Sequence, residues 1–282
     1  MKIFILGSTG MIGHKIFYHL SRNHDYEIFN ISKSILNKDT LVIDLRNLED
    51  IHKLIKKYDP DIIINSSGLL IDDCEKDNLS AIKINSLLPS YLDKISFKYK
   101  FKLIQISTDC VFSGSNGPYL DNDVTDASSY YGKTKALGEI KNNLTIRTSV
   151  IGPDLQDNGT ELLNWFMKQN SSTSINGFTK SLWSGITTIE LAKAIETLLV
   201  SSDVGIKNIS SNTSISKFDL LNIINNISKK DLIIKPIDGP NHNKSLIRSK
   251  DFIHNTNLSY EKLVIEMFED INSSNLYSHY QI

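Results

Sequence analysis

Short, nearly unbroken apolar runs recur along the first half of the chain: Lys2–Leu6, Tyr26–Ile31, Thr40–Leu45, Asp61–Asn65, Lys102–Ser107 and Leu144–Ser149. A strand with one wet face would alternate polar and apolar positions. These runs do not alternate, which predicts strands covered on both faces. Between them lie amphipathic stretches at Met11–Leu20, Leu48–Lys57, Leu79–Tyr99 and Gly132–Lys141, which predict helices. Strand and helix alternating at this pitch predict right-handed βαβ units and an α/β fold built on a doubly wound parallel sheet.

After Ser149 the regularity falls off. Gly152-Pro153, the turn at Asp157–Gly159 and the polar stretch Asn170–Ser174 break the chain into short pieces. Helices are expected at Thr188–Val200 and Lys217–Ile227, a strand at Leu232–Ile237 and a polar loop around Pro240–Lys244. The expected organisation is a nucleotide-binding domain over residues 1–150, to which 186–212 returns, and a smaller C-terminal lobe from 151–185 and 213–282. The Ser/Asn-rich tail after Asn272 is expected to fray.

Charge and composition narrow the function. With 31 basic against 32 acidic residues, a net charge of −1 gives no reason to expect nucleic acid or a membrane surface as partner. No apolar run approaches the roughly 20 residues that span a bilayer, and no leader pattern follows Met1. Cys74 and Cys110 lack metal-ligand spacing, so a cytoplasmic chain with no metal site is expected. Nothing in the sequence decides oligomeric state, and a homodimer stays open.

The first chemical motif is Gly7-Ser8-Thr9-Gly10-Met11-Ile12-Gly13, between an apolar strand and a helix. Glycines three apart allow a tight turn, bring backbone N–H groups to a pyrophosphate and pack helix on strand, so the motif points to a Rossmann-type dinucleotide site. An acidic residue at the end of the second strand would favour NAD. Here that end reads Ser32-Lys33-Ser34, a cation and hydroxyls suited to a 2′-phosphate, which predicts NADPH (NADP). Asp44 and Leu45 are placed to touch the adenine, and Ser66 and Gly68 to leave room at the sheet edge. Asn85 lies on a long helix among apolar neighbours, where a structural or a cofactor-side role is open.

A second motif follows the fifth strand, which ends Ser107-Thr108-Asp109; Tyr131-Gly132-Lys133-Thr134-Lys135 comes next. On a helix Tyr131 and Lys135 share a face. An ammonium near a phenol favours the phenolate, so Tyr131 is expected to titrate below its ordinary value and act as general acid towards a ketone. Thr108 is expected to hold and polarise the carbonyl.

On these residues the chain resembles the extended short-chain dehydrogenase/reductase superfamily, and within it the dTDP-4-dehydrorhamnose reductase family. The likeness runs through Gly7, Gly10 and Gly13, then Ser107-Thr108-Asp109, Val111-Phe112, Gly114, Tyr131 to Lys135, Gly138-Glu139 and Arg147-Thr148-Ser149, and weakens towards Phe252. It implies Thr108, Tyr131 and Lys135 as catalytic residues and hydride transfer from NADPH to C4 of a nucleotide-linked 4-keto-6-deoxyhexose. Cys110 and Val150, where rhamnose-forming members usually carry aromatic residues, and Trp183-Ser184-Gly185-Ile186-Thr187-Thr188 look more like relatives from surface-polysaccharide pathways. Those act on UDP-2-acetamido-2,6-dideoxy-hexos-4-uloses; dTDP-4-dehydrorhamnose stays the alternative.

Rival readings are a 4,6-dehydratase, an epimerase, and a non-catalytic subunit like the regulatory subunit of methionine adenosyltransferase. A dehydratase needs a second carboxylate after Asp109, where Cys110 stands. For the nucleotide-sugar substrate, the candidates are Arg147 as a phosphate or hydroxyl partner, Trp183 as a stacking surface, and Lys180 and Arg248 as diphosphate partners.

Overall fold

The computed structural model describes residues 1–211, 213–250 and 258–280. In chain order the first half forms β1 (Lys2–Leu6), α1 (Met11–Leu20), β2 (Glu27–Ser32), β3 (Leu41–Val42), α2 (Leu48–Tyr58), β4 (Ile62–Asn65), α3 (Ile71–Lys76), α4 (Asn78–Ala81), a π-helical turn (Ile82–Leu87), α5 (Leu88–Tyr99), β5 (Lys102–Thr108), α6 (Tyr130–Leu137) and β6 (Leu144–Thr148). There follow β7 (Val150–Ile151), α7 (Leu162–Met167), β8 (Ser174–Phe178), β9 (Ser181–Trp183), β10 (Ile186–Thr187), α8 (Thr188–Leu198) and β11 (Gly205–Ile209). The chain continues through β12 (Ile215–Ser216), α9 (Lys217–Ser228), β13 (Ile233–Ile237), β14 (His242–Asn243) and α10 (Tyr260–Asn272).

Seven strands pair in parallel in the order β11-β6-β5-β4-β1-β2-β3. Within β1, Ile3 and Ile5 face a core shared with α1 and α8, while Phe4 and Leu6 face the opposite core under α2 and α5. That is why the run is unbroken: both faces bury apolar side chains, each worth about 1.5–3 kcal/mol. The strand order reverses at β1, which opens a crevice beyond the carboxyl ends of β1 and β4.

Three elements depart from the expected pattern. β11 was not marked by the sequence, because its apolar residues alternate with Lys207 and Asn208 at the sheet edge. The helix expected over Leu79–Tyr99 is interrupted by the π turn, which carries Asn85. β3 shrinks to two residues. The end of the family likeness, Phe252, lies outside the described residues.

A third core fills the C-terminal lobe, where Leu163 and Phe166 meet Leu220, Ile224, Leu263 and Met267. The tail does not fray after Asn272 as expected: Tyr277 is fully buried, and its hydroxyl stands 2.8 Å from His14 Nε2 on α1. Burial pulls the His14 pKa down to about 4, so the ring is neutral. Its Nδ1 faces the Gly10 carbonyl at 2.8 Å, which can only accept. The proton therefore sits on Nδ1, and Nε2 accepts from Tyr277.

Candidate functional site

The glycine turn is built as its spacing requires. Gly7 takes a left-handed φ of +79°, and a Cβ there would lie 2.8 Å from the Ser67 backbone. At Gly13 a Cβ would lie 2.2 Å from the Gly7 carbonyl oxygen, so only glycine lets α1 come this close. Gly10 caps α1 without a side-chain bond. The first-turn N–H groups of Met11, Ile12 and Gly13 therefore face outward without an intrahelical acceptor.

A cleft of about 320 Å³ opens here. Gly7, Thr9 and Gly10 line it from the turn, Ser32 and Lys33 from the end of β2, Asp44 and Leu45 beyond β3, and Ser66 and Gly68 beyond β4. Met11, Ile12, Gly13 and Asn85 are not among its walls. Arg46 is, and the sequence reading passed it over although it directly follows Asp44-Leu45. Its Nε donates to both Asp44 oxygens at 2.9 Å, and Nη1 donates to the Ser80 hydroxyl at 3.2 Å. Bonding to Arg46 holds the Asp44 carboxyl down at about 2. The cleft fits an NADP-type dinucleotide: two cations, Lys33 and Arg46, lie at one end, and Ser8 beneath the turn is buried with an unpartnered hydroxyl.

The catalytic candidates meet beside this cleft. Thr108 ends β5; its hydroxyl accepts from the Cys110 N–H and donates to Asp109 Oδ1, both at 3.1 Å. Ser129 caps α6 through the Gly132 N–H, setting Tyr131 and Lys135 in one short helix. A Cβ at Gly132 would lie 2.2 Å from the Cys110 carbonyl oxygen, so glycine admits α6 against the loop after Thr108. Lys135 is buried, and its ammonium donates to the Ile106 carbonyl at 2.7 Å. A Cβ at Gly68 would stand 3.9 Å from Lys135 Nζ and 3.5 Å from Asn85 Oδ1, which marks where the cleft meets these two side chains.

Burial pulls the Lys135 ammonium down to about 8, against the pull of Glu139. Tyr131 does not titrate below its ordinary value as expected. Desolvation pushes its phenol up, reinforced by Cys110, Asp109 and Glu161, and the Thr108 hydroxyl offsets only part of this. Asn85 is structural in its bonding: Oδ1 accepts from the Leu69 N–H at 2.9 Å, and Nδ2 donates to the Leu69 carbonyl and the Thr134 hydroxyl at 3.1 Å each.

Three substrate candidates sit elsewhere than expected. Arg147 is buried; it pairs with both Glu139 oxygens at 2.7 Å, donates to the Asp121 carbonyl and stacks 4.9 Å over Phe112. Trp183 is a core residue, donating to the Ser149 hydroxyl at 2.7 Å and packing on Tyr260. Lys180 makes an exposed ion pair with Asp238. Arg248 lines a separate polar cleft of about 480 Å³ with Ser184, Ser211, Ser245 and Lys250. Among the described residues, no helix is long and apolar enough to cross a membrane, and no group of three His, Cys, Asp or Glu could hold a metal.

A reversed parallel sheet with a glycine turn at its switch point defines a Rossmann-type dinucleotide fold, and Thr108, Tyr131 and Lys135 stand at the same edge. Sequence comparison makes the family narrower. The chain belongs to the family described as the RmlD substrate binding domain, whose model matches residues 1–266. It is similar to the spore coat polysaccharide biosynthesis protein SpsK of Bacillus subtilis strain 168, at 32% identity over 152 residues, 53% of this chain and 51% of that protein. It is similar to methionine adenosyltransferase 2 subunit beta of Rattus norvegicus, at 27% identity over 51% of this chain and 44% of that one. The chain thus matches about half the length of these curated relatives. In fold it is similar to dTDP-4-dehydrorhamnose reductase of Bacillus anthracis strain Ames in complex with NADP, with a TM-score of 0.79 and 21% identity over 95% of this chain and 99% of that one.

Proposed function

We propose that the chain is an NADPH-dependent reductase acting on the C4 keto group of a nucleotide-linked 4-keto-6-deoxyhexose in polysaccharide precursor synthesis. The observation that carries this reading is Lys135, whose ammonium stands 3.9 Å from the Cβ position of Gly68 in the cleft wall, on the same short helix as Tyr131, whose phenol faces the Thr108 hydroxyl. The reductase with NADP bound and the spore coat polysaccharide protein support it from outside the chain. Cys110, where a dehydratase needs a second carboxylate, favours reduction over dehydration. Cys110, Val150 and the Trp183–Thr188 stretch favour a UDP-linked 2-acetamido sugar over dTDP-4-dehydrorhamnose.

Lys33 and Arg46 would hold the 2′-phosphate, and the first turn of α1 the pyrophosphate. When bound, the reduced nicotinamide supplies the hydride. Tyr131, kept protonated by its raised pKa, gives its proton to the carbonyl oxygen. Thr108 turns its hydroxyl from Asp109 to donate to the same oxygen, and the Lys135 ammonium stabilises the charge left on Tyr131.

The test is NADPH carrying deuterium at the transferred position, incubated with a panel of 4-keto sugar nucleotides. Deuterium at C4 of the product is expected. Label at C6, or product without net NADPH use, would establish a dehydratase or epimerase instead. The likeness to methionine adenosyltransferase subunit beta favours a second reading, a binding subunit, for which no NADPH is consumed with any sugar in the panel.

A further inference from the structure

The loop after Thr108 is pinned to the C-terminal lobe. The Asn243 N–H donates to the Gly114 carbonyl at 2.8 Å, and Gly114, at φ +90°, lies so close that a Cβ would stand 2.8 Å from the His242 Cβ. This docking carries Lys244 Nζ to 3.9 Å from Cys110 Sγ, while the Cys110 N–H is bonded to the Thr108 hydroxyl. On the other side, β12, β9 and β14 pair side by side, and Lys217, the residue after β12, holds its ammonium 4.7 Å from the centre of the Trp183 ring.

Lys217, His242 and Lys244 are all half-buried, and among the described residues neither lysine makes an ion pair. Asp109 lends Lys217 some favourable field, yet its carboxylate is engaged by Thr108. Burial and the two neighbouring lysines pull the His242 pKa down. Two lysines gathered and partly desolvated, with the Asp109 carboxylate near them already engaged, are under-compensated on their own. An anion placed among them removes that penalty.

We propose that Lys217, His242 and Lys244 form an oxyanion site that takes an anionic group of the substrate, phosphate or carboxylate, beside the carbonyl held by Thr108 and Tyr131. The assignment rests on the reductase reading above. A nucleotide-linked sugar offers the group from two sources: the diphosphate on its anomeric carbon, or a carboxylate on the sugar itself. Trp183 serves this site from beneath, as the ring that steadies Lys217 rather than as a face for the sugar.

Calorimetric titration of the NADPH-loaded full chain with UDP, dTDP, uridine and glucuronate tests this without turnover. The unmodified protein is expected to bind a nucleoside diphosphate at least about tenfold tighter than uridine, or to bind glucuronate measurably. Lys217→Gln and Lys244→Gln should each weaken that binding about tenfold and leave uridine and NADPH unchanged, while the charge-retaining Lys217→Arg and Lys244→Arg keep it. Loss confined to the diphosphates assigns the site to the nucleotide; loss confined to glucuronate assigns it to the sugar, and either supports the proposal. Variants that bind every anion within twofold of the unmodified chain would overturn it, as would an unmodified chain that binds none. The reductase reading fails separately, if no keto-sugar nucleotide is reduced while anion binding persists. NADPH affinity reports that each variant is folded.

Discussion

Lys135 directs its ammonium at the carbonyl oxygen of Ile106, 2.7 Å away, inside the sheet edge rather than out towards solvent. Burial there lowers its pKa to about 8, from 10.5 in the unfolded chain. Between those values the unfolded chain keeps a proton that the folded chain has released, so this group makes stability rise with pH across the window. The slope approaches about 1.4 kcal/mol per pH unit for one proton. Tyr131, raised when folded, opposes it only above its ordinary value of 10.0. Denaturant titrations from pH 7.5 to 9.5 should show a steeper gain for the unmodified protein than for Lys135→Met. Turnover should move the other way, declining as pH passes about 8 and the ammonium is lost. Equal stability slopes for the two proteins would remove Lys135 from this role.

Tyr131→Phe deletes one hydroxyl and keeps the ring. Folding and NADPH binding should survive, and turnover should fall by roughly 10² to 10⁴, as for a lost general acid. Stopped-flow measurement of NADPH oxidation at saturating substrate checks this. Near-normal rates would move the proton donor to another group.

The cations at the cleft mouth should make NADPH bind at least about tenfold tighter than NADH, a difference of about 1.4 kcal/mol. Lys33→Ala should erode the preference while leaving NADH untouched. Arg46→Ala should erode it further and also free the Asp44 carboxyl, which Arg46 holds at about 2. Fluorescence titration with both cofactors decides the matter; equal affinities in the unmodified protein would refute it.

Arg147→Ala should behave as a stability variant. It leaves Glu139 buried without its partner, a loss of about 3–5 kcal/mol for a broken buried pair. Chemical denaturation should show that loss, while the KM for the sugar nucleotide of the surviving folded protein stays within about threefold. A large KM change at unaltered stability would return Arg147 to the substrate.

The middle of the central sheet was legible because β1, β4, β5 and β6 are buried on both faces, which the nearly unbroken runs in Ile62–Asn65 and Lys102–Ser107 record directly. β11 was not, since an edge strand with Lys207 and Asn208 carries no such run. Gly7, Gly10 and Gly13 could be placed because their spacing follows from backbone geometry alone. Arg147, Trp183 and Lys180 could not, because a charge or an aromatic in sequence does not name its partner; Glu139, Ser149 and Asp238 decided those roles. The oxyanion cluster was invisible for a related reason. The packing of β12, β9 and β14 brings Lys244 to Cys110 and Lys217 to Trp183, which no spacing in the sequence records.

The hydrogen bond between Tyr277 and His14, continued from His14 to the Gly10 carbonyl, spans nearly the whole chain. Contacts so distant in sequence are slow to close, because the loop between them must be ordered first. The Gly10 end of the glycine turn gains the support of His14 and Tyr277 only where the C-terminal residues are packed against α1. A chain that has emerged only through β6 therefore lacks both β11, which pairs with β6 at the sheet edge, and the Tyr277 lock on its nucleotide loop.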